Sequence, residues 1–410
     1  MKGKVVFVGL SGGVDSAVSA ALLKKQGYEV VGVFIRTWHP DFLTCNEEEE
    51  RLDAMRVAAH LDIPFLTFDF ENVYKKEVAD YMIKEYKEGR TPNPDVMCNK
   101  EVKFGAFLKK AVSMGADYLA TGHYAKNTKQ QLFHGSHSNL ETIKEHTVAY
   151  AEKSSALCFL EKGVDPSKDQ SYFLWTLRQE QLNKILFPIG HLKKSEVRKL
   201  AKKFKLPVAE KKDSQGICFL GAVDLKDFLK HYIKEKKGKV LNEKGEIIGH
   251  HDGVVFHTLG ERHGFVITKK SPNDGAYYVV GKDIKKNILY VSQNAKQSLF
   301  HGSHSNLNVI NESNIAYAEK SAALHFVDLN NTNWISKIPE VNKMYTAQIR
   351  YHSEFLPCKV EIKNKKTKII FKKPVLVASG QSCVIYDKPA RNASRSDAGG
   401  DICLGGGVVA

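Results

Sequence analysis

Short apolar runs alternate with helix-forming segments over the first 125 residues of the chain. The β-branched and aromatic runs at residues 5–8, 30–35 and 65–70 predict buried strands. The segments 47–61 and 73–88 place apolar residues at helical spacing and predict helices. Alternating strands and helices are typical of an α/β fold in which a parallel sheet carries helices on both faces. In such sheets, ligands bind beside the carboxyl ends of the strands.

The pattern changes near residue 224, where strands separated by turns replace this alternation. A short helix at 224–234 precedes predicted strands at 238–240, 245–249, 253–257 and 277–280. Later strands at 345–351, 358–362, 368–372, 382–386 and 402–409 predict a β-barrel. We therefore expect a first domain at 1–220, a small mixed α/β domain at 221–288 and a C-terminal β-barrel domain at 289–410.

Two stretches interrupt these domains, and one of them is duplicated. Residues 126–162 read as an insertion, and the segment 131–159 recurs without gaps at 298–326. One duplication is not a repeat array, which needs at least three units. His134 and His137 have no Cys or carboxylate nearby, so we predict a polar surface loop and no metal site. Residues 388–401 are rich in small and polar residues and predict a further loop insertion.

The first strand leads into a helix through a turn rich in glycine and serine. The turn consists of Gly9, Leu10, Ser11, Gly12, Gly13, Val14, Asp15 and Ser16. A strand, a glycine-rich turn and a helix together point backbone N–H groups at an anion, typically a phosphate. The turn lacks the lysine of the Gly-x-x-x-x-Gly-Lys-Ser/Thr P-loop. We predict that Asp15 either caps the helix or helps to hold Mg²⁺.

Two further residues stand where other strands of the sheet end. Ile35 closes the second strand and offers an apolar wall and a backbone partner for adenine. Gly122 follows the strand at 118–121 and would let a nucleotide approach closely, although Gly122-His123 alone fits a plain turn equally well.

The charge and the apolar content restrict the class of protein. The net charge of +15 predicts a polyanionic partner, nucleic acid first, although a basic surface that keeps the protein in solution is the alternative. No apolar run reaches the roughly 18 residues of a membrane-spanning helix, and the N-terminal segment enters a strand directly. Seven cysteines without a Cys-x-x-Cys pair argue against a zinc ribbon or a disulfide framework. We expect a cytoplasmic protein with no membrane association.

Two cysteines have neighbours that favour reactivity. Cys98 lies near the start of a helix predicted at 100–115, where the helix dipole lowers the pKa of a thiol. Asp95 precedes it by three residues, and a carboxylate there can orient a substrate or act as acid or base. Cys218 lies beside lysines and a glycine turn, which also favour the thiolate. The alternative for either thiol is a buried structural cysteine, which is our interpretation of Cys45, Cys158, Cys358, Cys383 and Cys403.

Two groups of residues have the side chains expected of an RNA-binding surface. Lys168, Asp169 and Gln170 precede an aromatic segment, and as polar groups they suit an RNA backbone or a flipped base. Arg350 and Tyr351 pair a cation with a ring that can stack on a base of single-stranded RNA. The basic helix at 193–204 fits RNA contact and a solvated face equally well.

Several segments together resemble the bacterial tRNA-specific 2-thiouridylases, a family of N-type ATP pyrophosphatases (the PP-loop family). They occur in the order of that family and cover most of the chain, at residues 11–16, 89–107, 120–125, 168–174, 212–219 and 380–384. The resemblance implies an adenine nucleotide alpha-hydrolase-like fold for the first domain and a tRNA-binding C-terminal barrel. It implies ATP and Mg²⁺ as cofactors, with tRNA and a persulfide sulfur donor protein, a sulfur relay protein or a cysteine desulfurase, as partners.

The resemblance also implies the reaction and the roles of individual residues. The enzyme would adenylate the 2-carbonyl of the wobble uridine in the tRNAs for Lys, Glu and Gln, then replace that oxygen with sulfur, giving 2-thiouridine, AMP and pyrophosphate. Cys218 would carry the persulfide, and Cys98 would be the second, catalytic thiol that forms a disulfide with it. The target base, which must leave its stack, and the tRNA would be held by Asn93, Pro94, Asp95, His123, Lys168, Asp169, Gln170, Arg350, Tyr351 and Gln381.

Some positions depart from the family pattern, and two other function classes remain open. Glu261-Arg262-His263 stands where the family usually has Gln-Arg-Lys, and residues 265–268 replace a glycine-rich run. One alternative is another ATP-dependent synthetase or amidoligase of the PP-loop type, which would not need Cys98 and Cys218. The other is a non-catalytic RNA-binding relative, against which the intact loop at 11–16 speaks.

Overall fold

A computed structural model describes residues 3–43, 46–128, 157–213, 218, 224–269, 275–293, 324–388 and 401–410. Most of the duplicated segment at 131–159 and 298–326, including His134 and His137, lies outside the described residues. So do Cys45 and most of the predicted insertion at 388–401. Within the described residues, no helix combines the length and the apolar character required to cross a membrane.

The first domain is a parallel sheet with helices on both faces, which confirms the predicted fold class. Strands β1 to β7 are Val5–Gly9, Glu29–Arg36, Phe65–Asp69, Tyr118–Ala120, Ala125–Asn127, Leu160–Lys162 and Ile185–Leu186. The sheet has the order β3-β2-β1-β4-β7, and every pair in it is parallel. Its two faces are covered by separate apolar clusters, so the central strands are buried on both sides.

The described residues of this domain form six α-helices, and two of them contain π-helical segments. Helices α1, α2, α5 and α6 are Val14–Lys25, Glu47–His60, Gln179–Leu182 and Lys194–Lys203. Helix α3 joins Glu71–Tyr74, the π-helical Lys75–Asp80 and Tyr81–Lys87. Helix α4 joins Pro94–Met97, the π-helical Cys98–Phe107 and Leu108–Ser113. A single-turn 3₁₀ helix, Ser171–Leu174, carries the aromatic segment that follows residues 168–170.

The small central domain is a second sheet of five strands. Helix α7 is Leu225–Lys230, and strands β8 to β12 are Gly238–Leu241, Ile247–His251, Phe265–Ile267, Tyr278–Asp283 and Ile288–Ser292, in the order β10-β9-β8-β12-β11. The strand predicted at 253–257 is wrong, because Val254–Phe256 is a 3₁₀ helix. Turn hydrogen bonds, such as that from Phe256 N to Gly253 O, take up its backbone groups. Strand β12 pairs with β8, so the boundary predicted after residue 288 would divide a strand of this sheet.

The C-terminal domain is a closed antiparallel barrel, as predicted. Strands β13 to β18 are Leu324–Trp334, Tyr345–Gln348, Leu356–Lys363, Lys366–Val375, Ser382–Asp387 and Ile402–Val409. The order β13-β16-β15-β14-β17-β18 is closed by pairing of β13 with β18. Strand β18 also pairs with β6 of the first domain, so the β5–β6 hairpin extends the barrel sheet.

Hydrogen bonds fix the barrel against the first domain near the start of α4. Ser382 accepts from Tyr172 through its carbonyl at 2.8 Å and from the indole N–H of Trp175 through its hydroxyl at 3.1 Å. The backbone N–H of Thr91 donates to the carbonyl of Ser379 at 2.8 Å. The barrel therefore contacts the loop that leads into the helix carrying Asp95 and Cys98.

Candidate active site

The glycine-rich turn after β1 has the geometry of an anion-binding loop. Gly12 has φ = +70°, a conformation that favours glycine. Gly13 is the N-cap of α1, and no side chain caps the N–H groups of the first turn of this helix. The Ser16 hydroxyl accepts from Ser11 N at 3.2 Å and donates to the Gly13 carbonyl at 3.1 Å. Hydrogen bonds within the loop thus hold its conformation, and the N-terminus of α1 that follows it can bind a phosphate group.

Asp15 has a different role from either one predicted for it. It does not cap α1; instead, both of its carboxylate oxygens accept from Lys194 Nζ, at 2.7 and 2.9 Å, and Oδ1 also accepts from the Tyr124 hydroxyl at 2.8 Å. Lys194 also pairs with Asp213 at 2.9 Å, and Lys168 pairs with the same carboxylate at 2.9 Å. This ion-pair network connects the loop to the segment that precedes Cys218.

The described residues do not fit a protein-bound Mg²⁺ at this loop. The Asp15 carboxylate is already neutralised by Lys194. Among the residues that the structure describes, no group of three or more His, Cys, Asp or Glu side chains could hold a metal ion. We therefore derive no step of the reaction through a metal held by the protein.

Ile35 and Gly122 both lie near strand ends, and both are packed against other parts of the first domain. Ile35 is 6% exposed and its side chain packs in the apolar core. A Cβ added at Gly122 would lie 2.8 Å from Ser16 N and 2.9 Å from the Asp15 carbonyl carbon. The space that Gly122 provides is therefore filled by the loop itself.

Cys98 and Cys218 meet although 120 positions separate them in the chain. The Cys98 thiol donates to Cys218 Sγ, and the two sulfur atoms lie 3.5 Å apart. The Cys218 N–H donates to Asp95 Oδ1 at 3.0 Å, and the Tyr74 hydroxyl donates to the Cys218 carbonyl at 2.7 Å. Helices α3 and α4 therefore hold the backbone of Cys218 from two sides and place its sulfur over Cys98.

The pKa values of the two thiols shift in opposite directions, and the prediction that Cys98 has a lowered pKa is wrong. Helix α4 begins at Pro94, so Cys98 lies one turn inside the helix rather than at its N-terminus. Burial raises the pKa of Cys98 well above its ordinary value, and the neighbouring Cys218 raises it further. The hydrogen bond from Cys98, together with the charge of Lys103, lowers the pKa of Cys218 against the effect of burial. Cys218 is thus the more acidic of the two thiols, and Cys98 is the one that keeps its proton.

The cation beside Cys218 is also a different residue from those expected. Lys211 Nζ is bound to Asp53 at 2.7 Å, and Lys212 is exposed. Lys103 of α4 instead hydrogen-bonds the Cys218 sulfur. Burial by itself would lower the pKa of Lys103, but the charge on Cys218 raises it, so its ammonium group stays protonated.

Asn93, Pro94 and Asp95 build the start of α4. Asn93 is the N-cap and its Oδ1 accepts from Val96 N at 3.1 Å, while Pro94 occupies the first turn, where its missing N–H costs nothing. Burial raises the pKa of Asp95, although the hydrogen bond from Cys218 N–H opposes this. These residues fix the two thiols relative to each other, and Asp95 is in direct contact with Cys218.

Asp169 and Gln170, predicted to contact RNA, make contacts inside the protein. Asp169 is 8% exposed and accepts from Gly163 N at 2.9 Å and from the Ser171 hydroxyl at 3.0 Å. Gln170 Oε1 accepts from Tyr124 N at 3.0 Å. Both residues hold the chain around β5, whereas Lys168 is half-exposed beside Asp213.

Four other predicted tRNA contacts lie in two domains, one in the first domain and three in the barrel. His123 is buried against Phe104, and its Nδ1 lies 2.8 Å from the Thr121 hydroxyl. Burial lowers the pKa of His123 well below its ordinary value, and the charge of Lys103 adds to this, so the ring is neutral. Gln381 of the barrel donates to the Thr91 carbonyl at 3.0 Å.

Arg350 and Tyr351 lie where the barrel meets the other two domains. Arg350 is exposed and donates to the Leu259 carbonyl of the central domain at 2.9 Å. The Tyr351 ring packs on Phe173 of the first domain, with ring centroids 4.3 Å apart. Arg350 is therefore exposed to solvent, whereas Tyr351 is partly buried against the first domain.

Comparison with known proteins gives matches over nearly the whole chain. Three family models match in order: a tRNA methyl transferase HUP domain over residues 4–222, a tRNA methyl transferase PRC-barrel domain over 226–293 and an aminomethyltransferase beta-barrel domain over 325–409. The tRNA-specific 2-thiouridylases MnmA of Streptococcus thermophilus and Geobacillus thermodenitrificans are each 40% identical over 409 residues, covering 98% of this chain and 94% of theirs. The Bacillus cytotoxicus relative is 39% identical over the same length.

The chain belongs to the tRNA-specific 2-thiouridylase family. Membership confirms the resemblance carried by the loop and by the cysteine segments. Three residues that the structure places at the site of this 2-thiouridylase family member were not predicted from the sequence: Lys103, Lys194 and Tyr74. Only Lys103 gave a local signal, because it lies within the recognised segment 89–107. Lys194 and Tyr74 come to the site through tertiary packing alone.

Proposed function

We propose that this chain is a tRNA-uridine 2-sulfurtransferase that uses ATP and a Cys218 persulfide to convert the wobble uridine of the tRNAs for Lys, Glu and Gln to 2-thiouridine. The observation that carries the proposal is the 3.5 Å separation of the Cys98 and Cys218 sulfur atoms. Such a pair can become a disulfide with a small movement, because a disulfide needs the sulfur atoms at about 2.05 Å.

The first step is adenylation of the base. The 2-carbonyl oxygen of uridine attacks the α-phosphorus of ATP, and pyrophosphate leaves. The uncapped N–H groups at the start of α1 would hold the departing pyrophosphate. Asp95, at the start of α4, is placed to orient the base beside the thiols. AMP is now a good leaving group on C2.

The second step transfers sulfur and uses both cysteines. The terminal sulfur of the Cys218 persulfide attacks C2, and AMP leaves. Cys98 then attacks Cys218 Sγ; the new Cys98–Cys218 bond forms as the bond to the transferred sulfur breaks, and that electron pair becomes the thiocarbonyl. The Cys98 proton is released, and a thiol reductant later returns two electrons to the disulfide. The order fits the ionisation of the pair, since Cys98 stays protonated until it is needed.

The partners follow from the same chemistry. The +15 net charge suits a tRNA, whose backbone binding is chiefly electrostatic. Exposed Arg350 and half-exposed Lys168 are the predicted contacts with charge available at the surface. A persulfide-bearing donor protein would load Cys218. An amidoligase with the same loop would have no use for two sulfur atoms at 3.5 Å, so no observation favours that alternative.

One assay tests the proposal against both alternatives. The protein is incubated with ATP, tRNA and a persulfide-loaded cysteine desulfurase, and the tRNA nucleosides are analysed by mass spectrometry. We expect thiolated uridine from the wild type, and a loss of at least about 100-fold in Cys98→Ser and in Cys218→Ser, because each removes a reacting atom. Cys358→Ser, in the barrel core, is the control and should keep the activity.

The outcomes separate the function classes. Undiminished thiolation by Cys218→Ser would refute the persulfide role. Release of AMP with no thiolated product from the wild type would indicate a different ATP-dependent ligase, and binding of tRNA without ATP cleavage would indicate an RNA-binding relative.

A further inference from the structure

We propose that Lys103 is a catalytic residue that holds the Cys218 sulfur as an anion, ready to accept sulfur from the donor. This inference rests on the proposed function for its role in the reaction. In the loading step, the Cys218 thiolate attacks the outer sulfur of the donor's persulfide. The bond from Cys218 Sγ to that sulfur forms, the donor's S–S bond breaks, and its electron pair leaves on the donor's thiolate. No net oxidation occurs in this exchange.

The π-helical segment of α4 explains how Lys103 reaches the site. Lys103 follows Cys98 by five residues, which is the hydrogen-bond spacing of a π-helix. In a regular α-helix, a residue five positions later points about 140° away. The π-helical winding instead brings Lys103 to the same side as Cys98. π-helical segments recur at functional sites, and this one begins at Cys98 itself.

Among the residues that the structure describes, Lys103 is the cation that acts on the charge of Cys218. From α4, Cys98, Asp95 and Lys103 face it, and from α3, Tyr74 faces it. The Cys98 thiol donates to its sulfur, and Lys103 makes a charge-assisted hydrogen bond to the same atom. Asp95 and Tyr74 contact its backbone, not its sulfur.

The electrostatics agree with this arrangement. The pKa of Cys218 is lowered and that of Lys103 is raised, as expected of two groups that stabilise each other's charge. The negative charge of Asp95 opposes the thiolate, so without a cation this partly buried site would disfavour it. The hydrogen bond from Cys98 is the largest cause that lowers the pKa of Cys218, and Lys103 adds the positive charge that opposes the carboxylate and the burial.

The test measures the ionisation of Cys218 without ATP or tRNA. The rate of alkylation of Cys218 by iodoacetamide is followed against pH, with the modified peptide identified by mass spectrometry. We compare the wild type with Lys103→Met and Lys103→Arg, and use Lys100→Met as the control. Lys100 lies on the same helix, is exposed and pairs with Glu101 at 2.7 Å.

We expect wild-type Cys218 to titrate below the ordinary thiol pKa of about 8.5. Lys103→Met should lose about tenfold in alkylation rate at neutral pH and recover at high pH, because an adjacent opposite charge is worth at least about tenfold in ionisation. Lys103→Arg should keep most of the rate, and Lys100→Met all of it. The rate of sulfur loading from the donor should follow the same order.

Two results would overturn the inference. One is a wild-type-like pH profile in folded Lys103→Met, which would mean that Lys103 only stabilises the fold and changes only the melting temperature. The other is a pKa of wild-type Cys218 at or above the ordinary thiol value of about 8.5. This second measurement needs no variant, so it tests the inference even if Lys103→Met does not fold. Because neither measurement uses tRNA, the inference can fail while thiolation persists, and thiolation can fail while the thiolate is present.

Discussion

Replacement of Gly122 by alanine tests whether this glycine serves the nucleotide or the loop. The added Cβ would lie 2.8 Å from Ser16 N and 2.9 Å from the Asp15 carbonyl carbon, both of them backbone atoms. Ordinary van der Waals contact begins at 3.4 Å, so β4 and the loop must separate by about 0.6 Å (3.4 − 2.8). No flexible side chain is available to absorb this movement.

The expected cost has two parts. Overpacking of this size destabilises by about 1–3 kcal/mol. For a domain of this length, each kcal/mol lowers the melting temperature by about 2–4 °C. Displacement of the loop also moves the N–H groups at the start of α1, and a misplacement approaching 1 Å costs up to about 100-fold in reactivity. We therefore expect Gly122→Ala to melt lower without nucleotide and also to bind ATP more weakly.

The assay is a thermal melt without nucleotide, paired with titration of ATP by calorimetry. Gly13→Ala is the informative comparison, because its Cβ would meet only the Ser11 hydroxyl, at 3.3 Å, beside the anion-binding N-terminus of α1. It should weaken ATP binding with little change in melting. Gly275→Ala meets nothing within 4 Å and should change neither property. An unchanged melting temperature in Gly122→Ala, with weakened ATP binding, would refute the packing explanation and restore a direct nucleotide contact.

Two more predictions concern stability. Hydrogen bonds from Lys168 and Lys194 outweigh burial and hold the pKa of Asp213 far below its unfolded value of about 3.9. The ionised Asp213 therefore contributes to the free energy of unfolding above pH about 3.9, and this contribution is lost as the pH falls through the folded-state pKa. Asp213→Asn should be less stable at neutral pH and lose less on acidification in urea unfolding; an unaltered pH slope would contradict this. Ser382→Ala leaves the buried indole N–H of Trp175 without its acceptor and should cost about 1–3 kcal/mol by the same method, against almost nothing for the exposed Ser113→Ala. Equal losses in the two serine variants would show that the interface bond is unimportant.

The site was predictable where its residues are neighbours in sequence. Residues 9–16 form the loop because a β-branched run, two glycines and an alanine-rich helix specify it locally. Asp95 and Cys98 could be placed near the start of one helix, although that helix begins at Pro94 and not at residue 100. The position of Lys103 could not be derived, because helical periodicity assumes 3.6 residues per turn and the π-helical segment departs from it. The Lys194–Asp15 pair joins positions 179 residues apart, and no local pattern encodes it.

The same distinction applies to the fold. The first sheet was predictable because its strands are short, β-branched and buried on both faces. Strand β13 was missed because polar residues, including Asn330 and Asn331, interrupt the alternation that identifies a strand. Strand β12 was divided by the predicted boundary, because sequence alone does not show that it pairs with β8 rather than with the barrel.

The pairing of β6 with β18 makes folding of the first domain and folding of the C-terminal barrel depend on each other. Without the barrel, the first domain would have one hairpin edge unpaired, since β18 lies far downstream in the chain. An exposed edge of this kind recruits other strands. Truncation of the barrel would thus expose a strand edge that can pair with other chains and promote aggregation. A barrel expressed alone would lack β6, which pairs with the first residues of β18. The minimal unit for heterologous production is therefore all three domains together.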